Sequence, residues 1–229
     1  MPFLRFSRVG LNLNPLPDFD FAQIFLVFIV LLFSLTVHEA AHAWTADVLG
    51  DSTPRLQGRL SLNPLVHIDP VGTLLLPLVA MVTNLPVIGW AKPVMVNVNG
   101  LRHKRRDFIL VAAAGPASNL LIAVFAALIL KLMPVSPVAH GETNITVPIA
   151  SMLGRALYLN VFLCVFNLIP IPPLDGGNVI GGLLPVRLGR RFDALVRPYG
   201  FILLLALVLS RGFDVLIIRP STYLVSWLQ

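Results

Sequence analysis

The 229-residue sequence predicts an all-α polytopic membrane protein with about four to six transmembrane or re-entrant helices. Three observations carry that prediction. Hydrophobic residues make up 56% of the chain and charged residues 12%, and the mean hydropathy is +0.83, far from the balance of a soluble domain. Apolar runs of roughly 20 residues recur, each long enough to cross the hydrocarbon core of a bilayer. Once those runs are set aside, too little chain is left for a separate soluble domain. The expectation is one domain over 1–229, with its core at 21–185 and a C-terminal helix at 198–218.

The first span runs from about Phe21 to Leu49 and opens with "FAQIFLVFIVLLFSLTV", which has no charged side chain. With Arg5 and Arg8 ahead of it, this stretch resembles a signal peptide, and Ala41-His42-Ala43 imitates a cleavage site. The run is too long for that, and charged residues would lie directly before the cut. Gly50 and Asp51 end the helix, and the Pro- and Gly-rich stretch that follows, with Arg55 and Arg59, reads as a loop. A second apolar run at 71–90 is interrupted by Pro77 and Pro86. "KPVMVNVNG" alternates like a strand, giving a short β-like segment near 92–98, and "RHKRR" at 102–106 is the densest basic cluster. Helices are expected at about 107–132 and 149–169, the second ending in "NLIPIPPLDGG".

The net charge of +6 does not point to nucleic acid, because the basic residues sit in short segments between apolar runs. Those segments (55–59, 102–106, and 187–197 with Arg187, Arg190, Arg191 and Arg197) outweigh Arg5 and Arg8, which places them on the cytoplasmic side. The 71–90 run then enters and leaves the membrane on one side; a full span with an inverted N-terminal half is the alternative. The single cysteine, Cys164, lies in an apolar run, which excludes an internal disulfide framework and a thiolate metal cluster.

The chemistry concentrates at His38-Glu39-Ala40-Ala41-His42. On a helix, residues i and i+4 project from nearly one face, so two imidazoles can grip one metal ion. Zinc suits that pair plus an oxygen ligand, and a hydrolytic site keeps a fourth position open. Glu39, about 100° round the helix, is placed to act as general base. Helix-packing histidines with a glutamate partner are the bland alternative. With two Glu and five His in the chain, chance yields this pattern in about one such sequence in a thousand. Ionisable groups at membrane depth are costly and mark function.

Asp175, Asp69, His67 and Glu142 are the candidates for the third ligand. Glu142 lies in a loop on the opposite side and reads as a solvated charge. His67 and Asp69 read as loop-turn residues, with a supporting role near the metal as the alternative. Asp175 sits among apolar residues at a helix broken by Pro170, Pro172 and Pro173, where Gly176 and Gly177 permit close backbone approach. The residues alone leave ligand and structural turn as equal readings of Asp175.

His-Glu-x-x-His at 38–42, Gly115-Pro116-Ala117-Ser118-Asn119 at the opening of a later helix, and "NLIPIPPLDGG" at 167–177 together resemble the site-2 protease family, intramembrane zinc metalloproteases of peptidase family M50. The resemblance covers about residues 21–185. It implies that His38, His42 and Asp175 hold one Zn2+, that Glu39 activates water, and that Asn119 and Asn167 lie near the site. Those two amides are candidates for binding an extended substrate or stabilising the oxyanion, or else for joining helices. The chain has no room for the PDZ or CBS modules of larger members, which points to a compact form in which region 71–100 guides substrate.

The implied reaction is peptide-bond hydrolysis in or near transmembrane segments of membrane proteins. The implied setting is the lipid bilayer of the cell (inner) membrane, with the site toward the cytoplasm. Two rivals are a metal transporter and a catalytically silent scaffold of the same fold. A transporter would spread ionisable residues over several helices, and a silent scaffold would have lost Glu39, His38 or Asp175.

Overall fold

The computed structural model describes residues 21–83, 89–133 and 146–229. Arg5, Arg8, Pro86 and Glu142 lie outside the described residues. Helix α1 (Phe21–Val48) is 28 residues long, about 42 Å at 1.5 Å per residue, enough to cross a bilayer. Its end is specified by Gly50, whose φ of +113° is left-handed, while Asp51 N donates to Ala46 O and Gly50 N to Asp47 O. That pair of bonds closes the last turn and satisfies carbonyls that would otherwise be orphaned.

After a single turn, α2 (Thr53–Leu56), the loop to residue 69 is held by buried polar groups. The Arg59 guanidinium donates to Val66 O and Lys92 O, and His67 Nε2 donates to Ser61 O at 2.9 Å. A π-helical turn at Pro70–Leu75 follows, capped by Asp69, whose Oδ1 accepts from Val71 N and Gly72 N. It runs into α3 (Leu76–Thr83). Pro77 does not break this helical run: Gly72 O, the carbonyl one π-turn before it, accepts from Trp90 N in place of the amide that Pro77 lacks.

The 11 apolar residues Pro70–Ala80 reach about 16 Å, roughly half the hydrocarbon thickness. The run also comes back to its start: Trp90 N donates to Gly72 O at 3.1 Å, Thr73 Oγ1 to Trp90 O at 2.8 Å, and Lys92 N to His67 O at 2.8 Å. Gly72 and Thr73 therefore lie directly beside Trp90.

The alternating 92–98 segment is not a strand, and no strand occurs among the described residues. Pro93 has no amide hydrogen, and two of the segment's other amides are taken by carboxylates: Val94 N donates to Glu39 Oε2 at 3.0 Å and Asn97 N to Asp51 Oδ2 at 2.7 Å. The alternation survives as burial, with Val94 and Val96 partly covered and Met95 and Asn97 exposed.

Helices α4 (Lys104–Leu132) and α5 (Thr146–Asn167) are the next two spans. Gly115 lies in the middle of α4 and does not open it. Small residues let these helices approach closely: Ala123, Ala126 and Ala127 of α4 pack against Leu157 and Val161 of α5. Helix α1 packs against both. Cys164 is buried in α5.

The short α6 (Asp175–Leu183) packs on α4 and is followed by α7 (Val186–Val196) and α8 (Gly200–Leu209). Arg187, Arg190 and Arg191 are therefore on a helix and not in a loop. The expected 198–218 helix is divided. The fourth span is Val186–Leu209, and at Ser210, whose Oγ accepts from Gly212 N, the chain restarts as α9 (Arg211–Phe213), a second π-helical turn at Asp214–Ile218, and α10 (Arg219–Leu228). Ser210, Arg211 and Gly212 interrupt the apolar run, and a hydroxyl cap suits a new helix start.

Candidate metal centre

Helix α1 places His38 and His42 one turn apart, with ring centroids 4.7 Å from each other and planes at 84°. Asp175 comes from the far end of the chain. The turn from Asn167 to Leu174 includes a cis Pro172–Pro173 bond and ends at the first residue of α6. A Cβ on Gly176 would strike the backbone of Leu168 and Ile169, and one on Gly177 that of Ile171 and Pro172, so only glycine lets the turn close.

The three donor atoms converge. His38 Nε2 and His42 Nε2 are 3.1 Å apart, and Asp175 Oδ2 lies 3.2 Å from the first and 3.4 Å from the second. Donors about 2.0–2.1 Å from a tetrahedral ion are separated by roughly 3.3 Å. All three residues are buried or nearly so, and Asp175 Oδ2 has no hydrogen-bond partner among the described residues.

The ring nitrogens facing away from this point are both occupied. His42 Nδ1 lies 2.7 Å from Val111 O, and since a carbonyl only accepts, Nδ1 carries the proton and Nε2 offers a lone pair. A carbonyl oxygen has two lone pairs, so Val111 O can accept from His42 from within α4. His38 Nδ1 lies 2.6 Å from Asn119 Oδ1, which leaves its Nε2 lone pair directed inward as well. Two imidazole lone pairs and an orphaned carboxylate oxygen meeting in a buried site fit a zinc ion, and fit poorly with an empty core. Gly115 forms the floor: a Cβ there would press on both imidazoles.

Glu39 is adjacent on α1, and its Oε2 accepts from Val94 N. That bond ties the acid to the 92–98 segment. Asn119 is fully buried, its Nδ2 donating to Asn160 Oδ1 at 2.9 Å and its Oδ1 facing His38, so it braces a histidine. Asn167 Nδ2 donates to Leu163 O within its own helix. His67 and Asp69 serve the loop.

Sequence reasoning missed Asn160, Ser34, Val111 O and the Val94 amide. The first two left a signal, a lone amide in "ALYLNVFLCVF" and a hydroxyl in "LLFSLTV", since polar groups at membrane depth need partners. The two backbone groups left none.

The family description Peptidase family M50 matches residues 26–207. The chain belongs to peptidase family M50. It is 37% identical over 185 residues to YwhC of Bacillus subtilis, a protein named as a candidate zinc metalloprotease, covering 80% of this chain and 79% of that one. It is 32% identical over 186 residues to Rip2 of Mycolicibacterium smegmatis, named in the same way, covering 80% of this chain and 66% of the other. No solved structure matches the chain. This M50 peptidase is thus a metalloprotease of the site-2 type, with zinc as the metal its family uses and, among the described residues, four helices long and apolar enough to cross a membrane.

Proposed function

We propose that this M50 member cleaves peptide bonds in or beside transmembrane segments, with His38, His42 and Asp175 holding zinc and Glu39 as general base. The observation that carries the reading is the convergence of two Nε2 lone pairs and Asp175 Oδ2 within 3.4 Å on one face of α1. Zinc bound there supplies Lewis acidity toward the scissile carbonyl and makes a water easier to deprotonate.

The remaining work falls to side chains. Glu39 takes the proton from the attacking water and later delivers it to the leaving amine. Val94 N–H, donating to Glu39 Oε2, leaves the second carboxylate oxygen to face the water. A helical substrate hides its carbonyls in hydrogen bonds and must unwind locally, and region 71–100, tied to Glu39 through Val94 N, receives the unwound stretch.

Orientation is supported by how the basic segments gather. Arg102 N donates to Leu49 O at 3.0 Å and Arg105 Nε to Gly182 O at 2.5 Å, which brings the end of α1, the start of α4 and the α6–α7 corner to one end of the molecule. With that end toward the cytoplasm and anionic headgroups, His38 stands ten residues, about 15 Å, from the end of α1. The site opens toward the cytoplasmic side of the cell membrane.

The test is proteolysis of a single-span model substrate by the reconstituted protein. Glu39→Gln is expected to retain zinc and lose about 10²–10⁴-fold in rate. Chelation is expected to stop cleavage, and added zinc to restore it. Undiminished cleavage by Glu39→Gln and under chelator would defeat the reading.

A further inference from the structure

Behind the metal centre a chain of polar side chains runs through three helices, and no step of the hydrolysis uses it. Ser34 Oγ donates its only hydrogen to Val30 O at 2.7 Å. Asn160 Nδ2 then donates to Ser34 Oγ at 2.8 Å and to Ala156 O at 2.9 Å. Asn119 Nδ2 donates to Asn160 Oδ1 at 2.9 Å, and Asn119 Oδ1 faces His38 Nδ1 at 2.6 Å. Ser34, Asn119 and Asn160 have no solvent exposure at all.

We propose that Asn160, anchored by Ser34 and Ala156 O, is a positioning residue that fixes the tautomer of His38 from two residues away. The inference rests on the reading of His38 as a zinc ligand. A primary amide can turn either end forward, and Asn119 alone could present either Oδ1 or Nδ2 to His38. Asn160 removes that freedom. Ala156 O can only accept, and Ser34 Oγ, its hydrogen spent on Val30 O, can also only accept here. Two acceptors meet the two hydrogens of Asn160 Nδ2, and this turns Asn160 Oδ1 toward Asn119. Asn119 must answer with Nδ2, which leaves its Oδ1 for His38 and puts the proton on His38 Nδ1. Reversing the chain would set Asn160 Oδ1 against Ala156 O and Ser34 Oγ, two acceptors with no donor.

The consequence reaches the metal. With Asn119 reversed, Nδ2 would donate to His38 Nδ1, the ring proton would move to Nε2, and His38 would point a hydrogen at the place where Asp175 and His42 converge. The polarity of α5 at Asn160 thus decides whether α1 offers two lone pairs or one. His42 needs no such relay, because Val111 O cannot reverse.

The experiment pairs zinc affinity, by chelator competition, with nitrogen NMR of the His38 ring in metal-free full-length protein. Wild type is expected to show Nδ1 protonated and Nε2 bare. Asn160→Leu is expected to mix the tautomers and weaken zinc binding about 10–100-fold, the usual cost of losing a ligand's hydrogen-bond support. Asn160→Asp in its neutral form keeps one acceptor for Asn119 and one O–H for Ala156 O or Ser34, and is expected to stay within about threefold of wild type. An Nε2-protonated His38 in wild type overturns the proposal even if the leucine variant does not fold. Equal losses in the leucine and aspartate variants, or unchanged affinity and tautomer in Asn160→Leu, also overturn it. Failure of wild type to bind zinc while His38 is Nδ1-protonated would defeat the protease reading and leave the relay standing.

Discussion

Two spans of similar length and apolarity have opposite surroundings. Of the apolar window in Phe25–Val48, 50% is buried inside the protein; of that in Val186–Leu209, 6%. The first carries Ser34, Thr36, His38 and His42 as buried polar groups, each with a partner. The second presents Phe201, Ile202, Leu203, Leu205 and Leu209 outward. Lipid is as apolar as leucine and gives a plain apolar helix no reason to seek protein, whereas a polar group at that depth must find one. Polar groups, more than apolar content, thus determine which helix becomes the centre.

That contrast is most severely tested at Asp175. Asp175→Ala should lower zinc affinity more than about a hundredfold, beyond the 10–100-fold that follows from losing a ligand's support alone. Leu205→Ala on α8 should leave zinc content unchanged. Metal analysis of both purified variants checks the pair.

Packing gives the next largest effect. Leu157 is fully enclosed between α4, α5 and α10, and Leu157→Ala should cost about 2–5 kcal/mol of unfolding free energy in detergent. Leu205→Ala, at an outward position, should stay within about 0.5 kcal/mol. A similar cost at Leu205 would show that α8 is covered by something.

Two glycines sharpen the comparison further. Gly115→Ala pushes a methyl group against both imidazoles and should weaken zinc binding on the order of tenfold or more. Gly181→Ala meets only Asp193 and Phe192 at ordinary contact distance, and its zinc affinity should match wild type.

The smallest effect is expected at the acid. Val94→Pro removes the amide that donates to Glu39, and one net hydrogen bond of about 0.5–1.5 kcal/mol corresponds to roughly a 2–12-fold loss in kcat/KM. Zinc content should not change, and Val94→Ala, which keeps the N–H, should behave as wild type.

Much of this architecture was legible along the chain, for reasons specific to each place. The end of α1 could be read from Gly50 because only glycine tolerates its backbone angle. The spans at 104–132 and 146–167 could be read within three residues because their apolar runs are long, with no charge from 108 to 130 in the first and Arg155 as the single charge in the second. The last helix was misplaced because Arg187 to Arg197 look like a loop, although long basic side chains sit equally well on an exposed helix face. The 92–98 segment looked like a strand because alternation reports two-sided burial, and burial needs no paired neighbour.

The local sequence settled that two imidazoles share a face, since helical periodicity is a property of consecutive residues. It also settled that the chain lives in a membrane, since composition alone sets that. It left Asp175 undecided between ligand and turn, and it could not orient Asn119. Those outcomes depend on contacts across 137 residues from His38 to Asp175 and 41 from Asn119 to Asn160. Hydrogen-bond polarity passes through space from Ala156 O to His38, and no local pattern encodes it.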